Sequence, residues 1–108
     1  MTQIYELRTY VAEPGRMDVL LARFRNHTVE LFARHGMTSI GYWVDAERPD
    51  TLVYLLVHAD RPSATAAWEA FRADPEWVMV KSESEKDGAV VRSVTSSFLE
   101  PTGFSPLQ

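Results

Sequence analysis

The run Thr51-Leu52-Val53-Tyr54-Leu55-Leu56-Val57-His58 constrains the fold more than any other stretch of this 108-residue chain. Its β-branched and aromatic content marks a strand, and strand side chains alternate between two faces. Val53, Leu55 and Val57 fall on one face, Leu52, Tyr54 and Leu56 on the other. Both faces therefore require burial, and the rest of the chain must supply a cover for each.

The flanking segments define what is available for that. Gln3 to Val11 has strand character and ends in Glu13-Pro14-Gly15, where Pro at the second and Gly at the third position suit a type II turn. From Arg16 the period changes: Leu20, Phe24, His27, Leu31 and His35 recur at spacings of three and four, with Leu21, Thr28 and Phe32 beside them. This predicts an amphipathic helix of about six turns, with Gly36 just past its end. Met37 to Asp45 is a second strand, joined to Thr51–His58 by Glu47-Arg48-Pro49-Asp50. Asp60 can cap the next helix with Pro62 in its first turn, and Trp68 and Phe71 face the core. Asp74-Pro75-Glu76-Trp77 restarts that helix, Lys81 to Gly88 reads as a polar exit, and Val90 to Glu100 as the last strand.

The order βαββαβ predicts an α+β, ferredoxin-like domain over residues 1–108, with a four-stranded antiparallel sheet. Two helices cover only one sheet face. At ~25 cal/mol per Å2, a wet second face would forfeit several kcal/mol. A second copy packed sheet to sheet is the natural cover, although Arg92, Ser93, Thr95, Ser96 and Ser97 make the last strand polar.

Composition narrows the chemistry. There are no cysteines, which removes disulfides, thiolate catalysis and Cys-ligated zinc. Net charge is −4 and no Lys/Arg stripe tracks a phosphate backbone, so nucleic acid is not an expected partner. Arg16, Arg23, Arg25 and Arg34 crowd the first helix and read as a solvated face. No run reaches the ~18 apolar residues of a membrane span, and the start lacks the pattern of a secretory signal, which predicts a cytoplasmic protein.

The opening Tyr5-Glu6-Leu7-Arg8-Thr9-Tyr10, the Pro14-Gly15 turn, Arg34-His35-Gly36-Met37, Asp74-Pro75-Glu76-Trp77 and the tail Pro101-Thr102-Gly103-Phe104-Ser105-Pro106 resemble the NIPSNAP family across essentially the whole chain. The resemblance implies a dimeric α/β barrel with a small-molecule pocket between helices and sheet. It places the chain near cofactor-free monooxygenases, polyketide cyclases, muconolactone isomerases and haem-degrading enzymes, without implying one reaction. Residues 101–108, with two prolines and Phe104, are expected to be a C-terminal docking tail on a neighbouring subunit.

Four residues are candidates for chemistry. His27 sits on the apolar stripe of the first helix, where an imidazole facing the sheet could act as general base. Tyr54 and His58 share a strand face and could polarise a substrate oxygen, as could Arg8, which shares a face with Glu6. His35, in the last helical turn, is accounted for by the helix dipole. Tyr42, Trp43, Trp68 and Trp77 could line an aromatic pocket, and Met79 reads as core filler. The three histidines have no metal-site spacing, so no metal and no cofactor is expected. The expected activity is a cofactor-independent monooxygenase, cyclase or isomerase acting on a small apolar, enolisable or phenolic molecule. The competing readings are a non-enzymatic ligand-binding or protein-interaction module and, since one His suffices as ligand, haem handling.

Overall fold

Local chemistry sets the element boundaries in the computed structural model, which describes residues 3–108. Strand β1 (Ile4–Ala12) ends in a turn closed by Arg16 N–H to Glu13 C=O at 2.9 Å. Gly15 there has φ +74°, the value its type II position demands. Helix α1 (Met17–Arg23), a π-helical turn (Phe24–Thr28) and α2 (Val29–Arg34) follow as one continuous rod. Gly36, at φ +78°, ends it: Met37 N–H bonds Phe32 C=O at 2.9 Å and Gly36 N–H bonds Ala33 C=O at 3.1 Å, the paired bonds of a Schellman motif.

Strands β2 (Thr38–Val44) and β3 (Thr51–His58) come next, the latter with the predicted bounds. Asp60 caps α3 (Arg61–Ala73) by accepting from Ser63 N–H at 2.7 Å, and Asp74 caps α4 (Pro75–Ser84) by accepting from Glu76 N–H at 2.9 Å. Helix α4 runs further than its polar composition suggests, through Lys81 to Ser84. A Lys81–Glu85 pair at 3.1 Å supports its last turn, and Arg16 Nη2 donates to the carbonyls of Ser84 and Gly88. Strand β4 (Val91–Leu99) completes the sheet.

The sheet is four-stranded, antiparallel, in the order β2-β3-β1-β4, which is the ferredoxin-like arrangement. Register puts Glu6, Arg8 and Tyr10 of β1, Tyr54, Leu56 and His58 of β3, and Ser96 and Phe98 of β4 on the face toward the helices. Beneath the helices lies an aromatic core. The Phe32 ring is within 5.1–6.0 Å of the rings of Phe24, Tyr54, Trp68 and Phe71.

Among the described residues no helix covers the opposite face. Leu7, Val53, Leu55 and Val57 are half-buried there, and Trp43 is 54% exposed, lying over Gly41, where a Cβ would meet the ring at 2.7 Å. Residues 101–108 fold back over one end of this same face, with Pro101, Thr102 and Leu107 beside Tyr5 and Leu55, and Tyr5 OH donating to Gln108 C=O at 2.9 Å. Phe104 projects outward, 88% exposed.

The π-helical turn overturns the expected orientation of His27. Buried positions Leu20, Phe24, Thr28 and Phe32 recur every four residues, and in an unbroken α-helix such a row would drift about 120° round the axis. The wider turn absorbs the drift. Thr28 Oγ1 donates to the carbonyl of Arg23, five residues back, at 3.2 Å and stabilises the break in the α-helical ladder. Thr28 then points inward and His27 is exposed. Two other readings change. Arg23 is not part of a solvated face but 5% exposed, and Met79 is not core filler but 65% exposed.

Candidate functional site

The β1–β3 register sets Tyr54 against Arg8 and places Glu6 between Arg8 and His58, so the Glu6/Arg8 and Tyr54/His58 pairs of the sequence share one face. Glu6 is 1% exposed and its carboxylate accepts four hydrogen bonds: from His58 Nε2 (2.9 Å) and Trp68 Nε1 (2.8 Å) on Oε1, and from Ser96 Oγ (2.7 Å) and Arg8 Nη1 (3.1 Å) on Oε2. Burial by itself pushes the carboxyl upward. The donors His58, Trp68 and Ser96 and the charge of Arg8 outweigh it and hold the pKa at about 2. The ionised carboxylate only accepts, so the hydrogen of the His58 contact sits on Nε2.

Arg8 is equally well held. Its Nε donates to Tyr54 OH at 2.8 Å and its Nη2 to Tyr10 OH at 3.2 Å, while Tyr54 OH donates to Tyr10 OH at 3.0 Å. Its guanidinium carbon lies 4.1 Å from the Trp68 ring centroid, a cation–π stack. Burial opposes its charge, but the Tyr10 and Tyr54 oxygens more than compensate, so its pKa is raised. Burial, reinforced by Tyr10 and opposed by Arg8, lifts the Tyr54 phenol well above its ordinary value, so it is a neutral hydrogen-bond donor at neutral pH.

This network forms the floor of a cleft of about 300 Å3 between α3 and β4. Arg61, Thr65, Glu69 and Arg72 of α3 form one rim, Ser96 and Phe98 of β4 the other. Arg61 lies 3.8 Å over the Phe98 ring and Arg72 5.5 Å from Trp68. Three guanidiniums thus face the cleft. Of its two carboxylates, Glu6 is already saturated by internal donors, so the cleft favours an anion.

His27 is not part of this arrangement. It stands in a separate groove between α1 and α4. The four aromatics expected to share one pocket are dispersed: Trp68 stands at the cleft, Tyr42 packs on Phe24 and Tyr54, Trp77 packs on Phe71, and Trp43 is on the opposite face. His35 bonds Asp74 at 2.7 Å and ties α2 to the α3–α4 junction. Tyr10, Ser96, Arg61 and Arg72 were not singled out by sequence. For Tyr10 the signal was present, since it continues the Glu6, Arg8 alternation; for Ser96 and the α3 arginines it required the register of distant elements. Among the described residues no group of three or more His, Asp or Glu is placed to hold a metal ion, and no helix is long and apolar enough to cross a membrane.

Comparison with known proteins agrees with this architecture. The chain is similar to a NIPSNAP family protein of unknown function from Agrobacterium tumefaciens, with 20% identity, TM-score 0.85, and 99% of this chain and 95% of that one covered. A second NIPSNAP family protein from the same organism superimposes with TM-score 0.86 at 24% identity, covering 98% of this chain and 99% of that one. A candidate antibiotic biosynthesis monooxygenase from Chloroflexus aurantiacus shares the fold more distantly, with TM-score 0.62, 17% identity, and 99% and 100% covered. Among curated proteins none matches the sequence. The NIPSNAP family profile matches residues 5–106, and on that match the chain belongs to the NIPSNAP family.

Proposed function

We propose that this protein binds a small organic anion, a carboxylate or enolate with a flat apolar body, in the cleft between α3 and β4. The observation that carries this reading is Arg8, locked by Glu6, Tyr10 and Tyr54 at the floor of a cleft rimmed by Arg61 and Arg72. A guanidinium whose geometry is fixed before binding loses little freedom on meeting an oxyanion and polarises it. Trp68 and Phe98 offer aromatic surface for the apolar body. The same groups suit polarisation of a substrate oxygen better than proton abstraction. Glu6, with four donors and a pKa of about 2, is a weak base at neutral pH, and His27 lies elsewhere. Binding is therefore the primary role, and cofactor-independent catalysis the second reading.

Calorimetric titration with benzoate, and with benzamide as its neutral counterpart, tests this. Benzoate binds the native chain, and Arg61→Ala combined with Arg72→Ala, both exposed and outside the buried network, weakens it about tenfold, or about 1.4 kcal/mol. Equal affinity for benzamide, or an unaffected double variant, overturns the reading.

Two copies pack through the uncovered sheet face in this proposal. Exposed Trp43 and Phe104 and the half-buried Leu7, Val53, Leu55 and Val57 support it, because an apolar surface of this kind is stable when paired. The 101–108 tail then lies at the edge of the joint and offers Phe104 to the neighbour. Native mass spectrometry showing only monomer at micromolar concentration overturns this assembly.

A further inference from the structure

The groove between α1 and α4 has a volume of about 470 Å3, within the range of about 300–1,000 Å3 typical of small-molecule sites. Its walls are Val19 and Ala22 on one side and Met79 and Val80 on the other, with Asn26 and His27 presented by the π-helical turn. Met79 is a long apolar side chain left 65% exposed, and the groove gives it a surface to pack against once filled.

Among the polar residues of the groove, Asn26, His27, Glu83, Ser84 and Arg23, the buried cation is Arg23, whose side chain is only 4% exposed. Its Nη1 donates to Ser84 Oγ at 3.2 Å, and its Nε, fully buried, has no hydrogen-bond partner. The carboxylate approaching it is Glu85 at 3.9 Å, and that group is engaged by Lys81 at 3.1 Å. Glu83, also on the groove, is engaged by Lys86 at 2.8 Å. Trp77 covers the other side of the guanidinium, 5.2 Å away. Arg23 is thus a buried cation whose nearest carboxylate oxygen, on Glu85, lies 3.9 Å away, beyond hydrogen-bond distance, and whose Nε has no partner, bordering a largely apolar groove. A buried polar group left without a partner in a native fold calls for an explanation, a functional role or a bound species among them, and π-helical turns recur at functional sites.

We propose that this groove binds an amphipathic monocarboxylate, with the carboxylate beside Arg23 and Ser84 and the aliphatic chain along Val19, Ala22 and Met79. The site shares no lining residue with the α3–β4 cleft, so either proposal can fail alone.

Decanoate below its micelle concentration, with decanol as the uncharged control, provides the test, followed by amide and arginine Nε resonances of the isotopically labelled protein. Decanoate shifts Val19, Ala22, Met79 and the Arg23 Nε signal, and decanol binds at least about tenfold more weakly. Arg23→Met removes that preference. Ala22→Phe, which fills the groove and keeps Arg23 in the chain, abolishes binding while circular dichroism stays native. Equal affinity for decanol, unchanged binding by Ala22→Phe, no binding of decanoate, or shifts confined to Arg8 and Trp68 overturns the proposal.

Discussion

Arg8 and Arg23 are both guanidiniums drawn into the interior between helices and their neighbours, yet they are treated in opposite ways. Arg8 meets Glu6, Tyr10 and Tyr54 with hydrogen bonds to all three, and stacks on Trp68. Arg23 has one hydrogen bond, to Ser84, and a 3.9 Å ion pair with Glu85, which Lys81 also engages. Burial draws the pKa of Arg23 below its ordinary value, with Glu85 opposing, whereas at Arg8 the partners prevail over burial. The difference follows from the elements that carry them. A strand has a period of two, so Glu6, Arg8 and Tyr10 share a face and partner one another from within a single strand. A helical residue at the mouth of a π-helical turn has no such neighbours and depends on what α4 brings.

Breaking the saturated side of this contrast has the largest expected effect. Glu6→Ala leaves Arg8, His58, Trp68 and Ser96 without their common acceptor, and urea titration is expected to show a loss of about 3–5 kcal/mol. Acid attacks the same point. The folded-state pKa of Glu6, about 2, lies below its unfolded value of 4.5, so between them the unfolded chain binds more protons and stability rises with pH. The contribution, up to about 3 kcal/mol, is complete above the unfolded pKa and is lost as pH falls from there toward 2. Unfolding followed across that window is expected to show a steeper slope in the native chain than in Glu6→Gln, where Asp60 and Asp74, also held low, still contribute.

Smaller effects are expected on the other side. Thr28→Val keeps the shape but removes the hydroxyl bond to the Arg23 carbonyl, for about 1 kcal/mol, read from the denaturation midpoint. Arg23→Met, which exchanges a poorly partnered buried cation for an apolar chain of similar reach, is expected to stay within about 1 kcal/mol of native stability. A loss as large as that of Glu6→Ala would erase the distinction between the two arginines.

Much of the frame was legible in order. Pro14-Gly15, Gly36, Asp60 and Asp74 act through bonds to residues within a few positions, and each ends or starts its element as their chemistry predicts. The pairs Glu6 with Arg8 and Tyr54 with His58 were also legible, because alternation assigns faces within a strand, but their meeting on one face required the β1–β3 register. His27 was misplaced because two apolar registers overlap in that helix. One runs through His27 at α-helical spacing and the other through Thr28 and Phe32 at four, and nothing local to Phe24–Thr28 announces the wider turn. Its selection came from burying Phe32 among Tyr54, Trp68 and Phe71, contacts from β3 and α3.

By itself, then, the sequence determined the element order, the capping sites, the alternation within each strand and the family, since these depend on spacing and short-range bonds. Tertiary structure alone decided that Ser96 and Trp68 complete the Glu6 network, that Arg61 and Arg72 rim the cleft, and that Arg23 is buried while His27 is not. Each of those outcomes depends on which distant surfaces meet, and packing energy summed across the whole core outweighs the preference of any one helical turn.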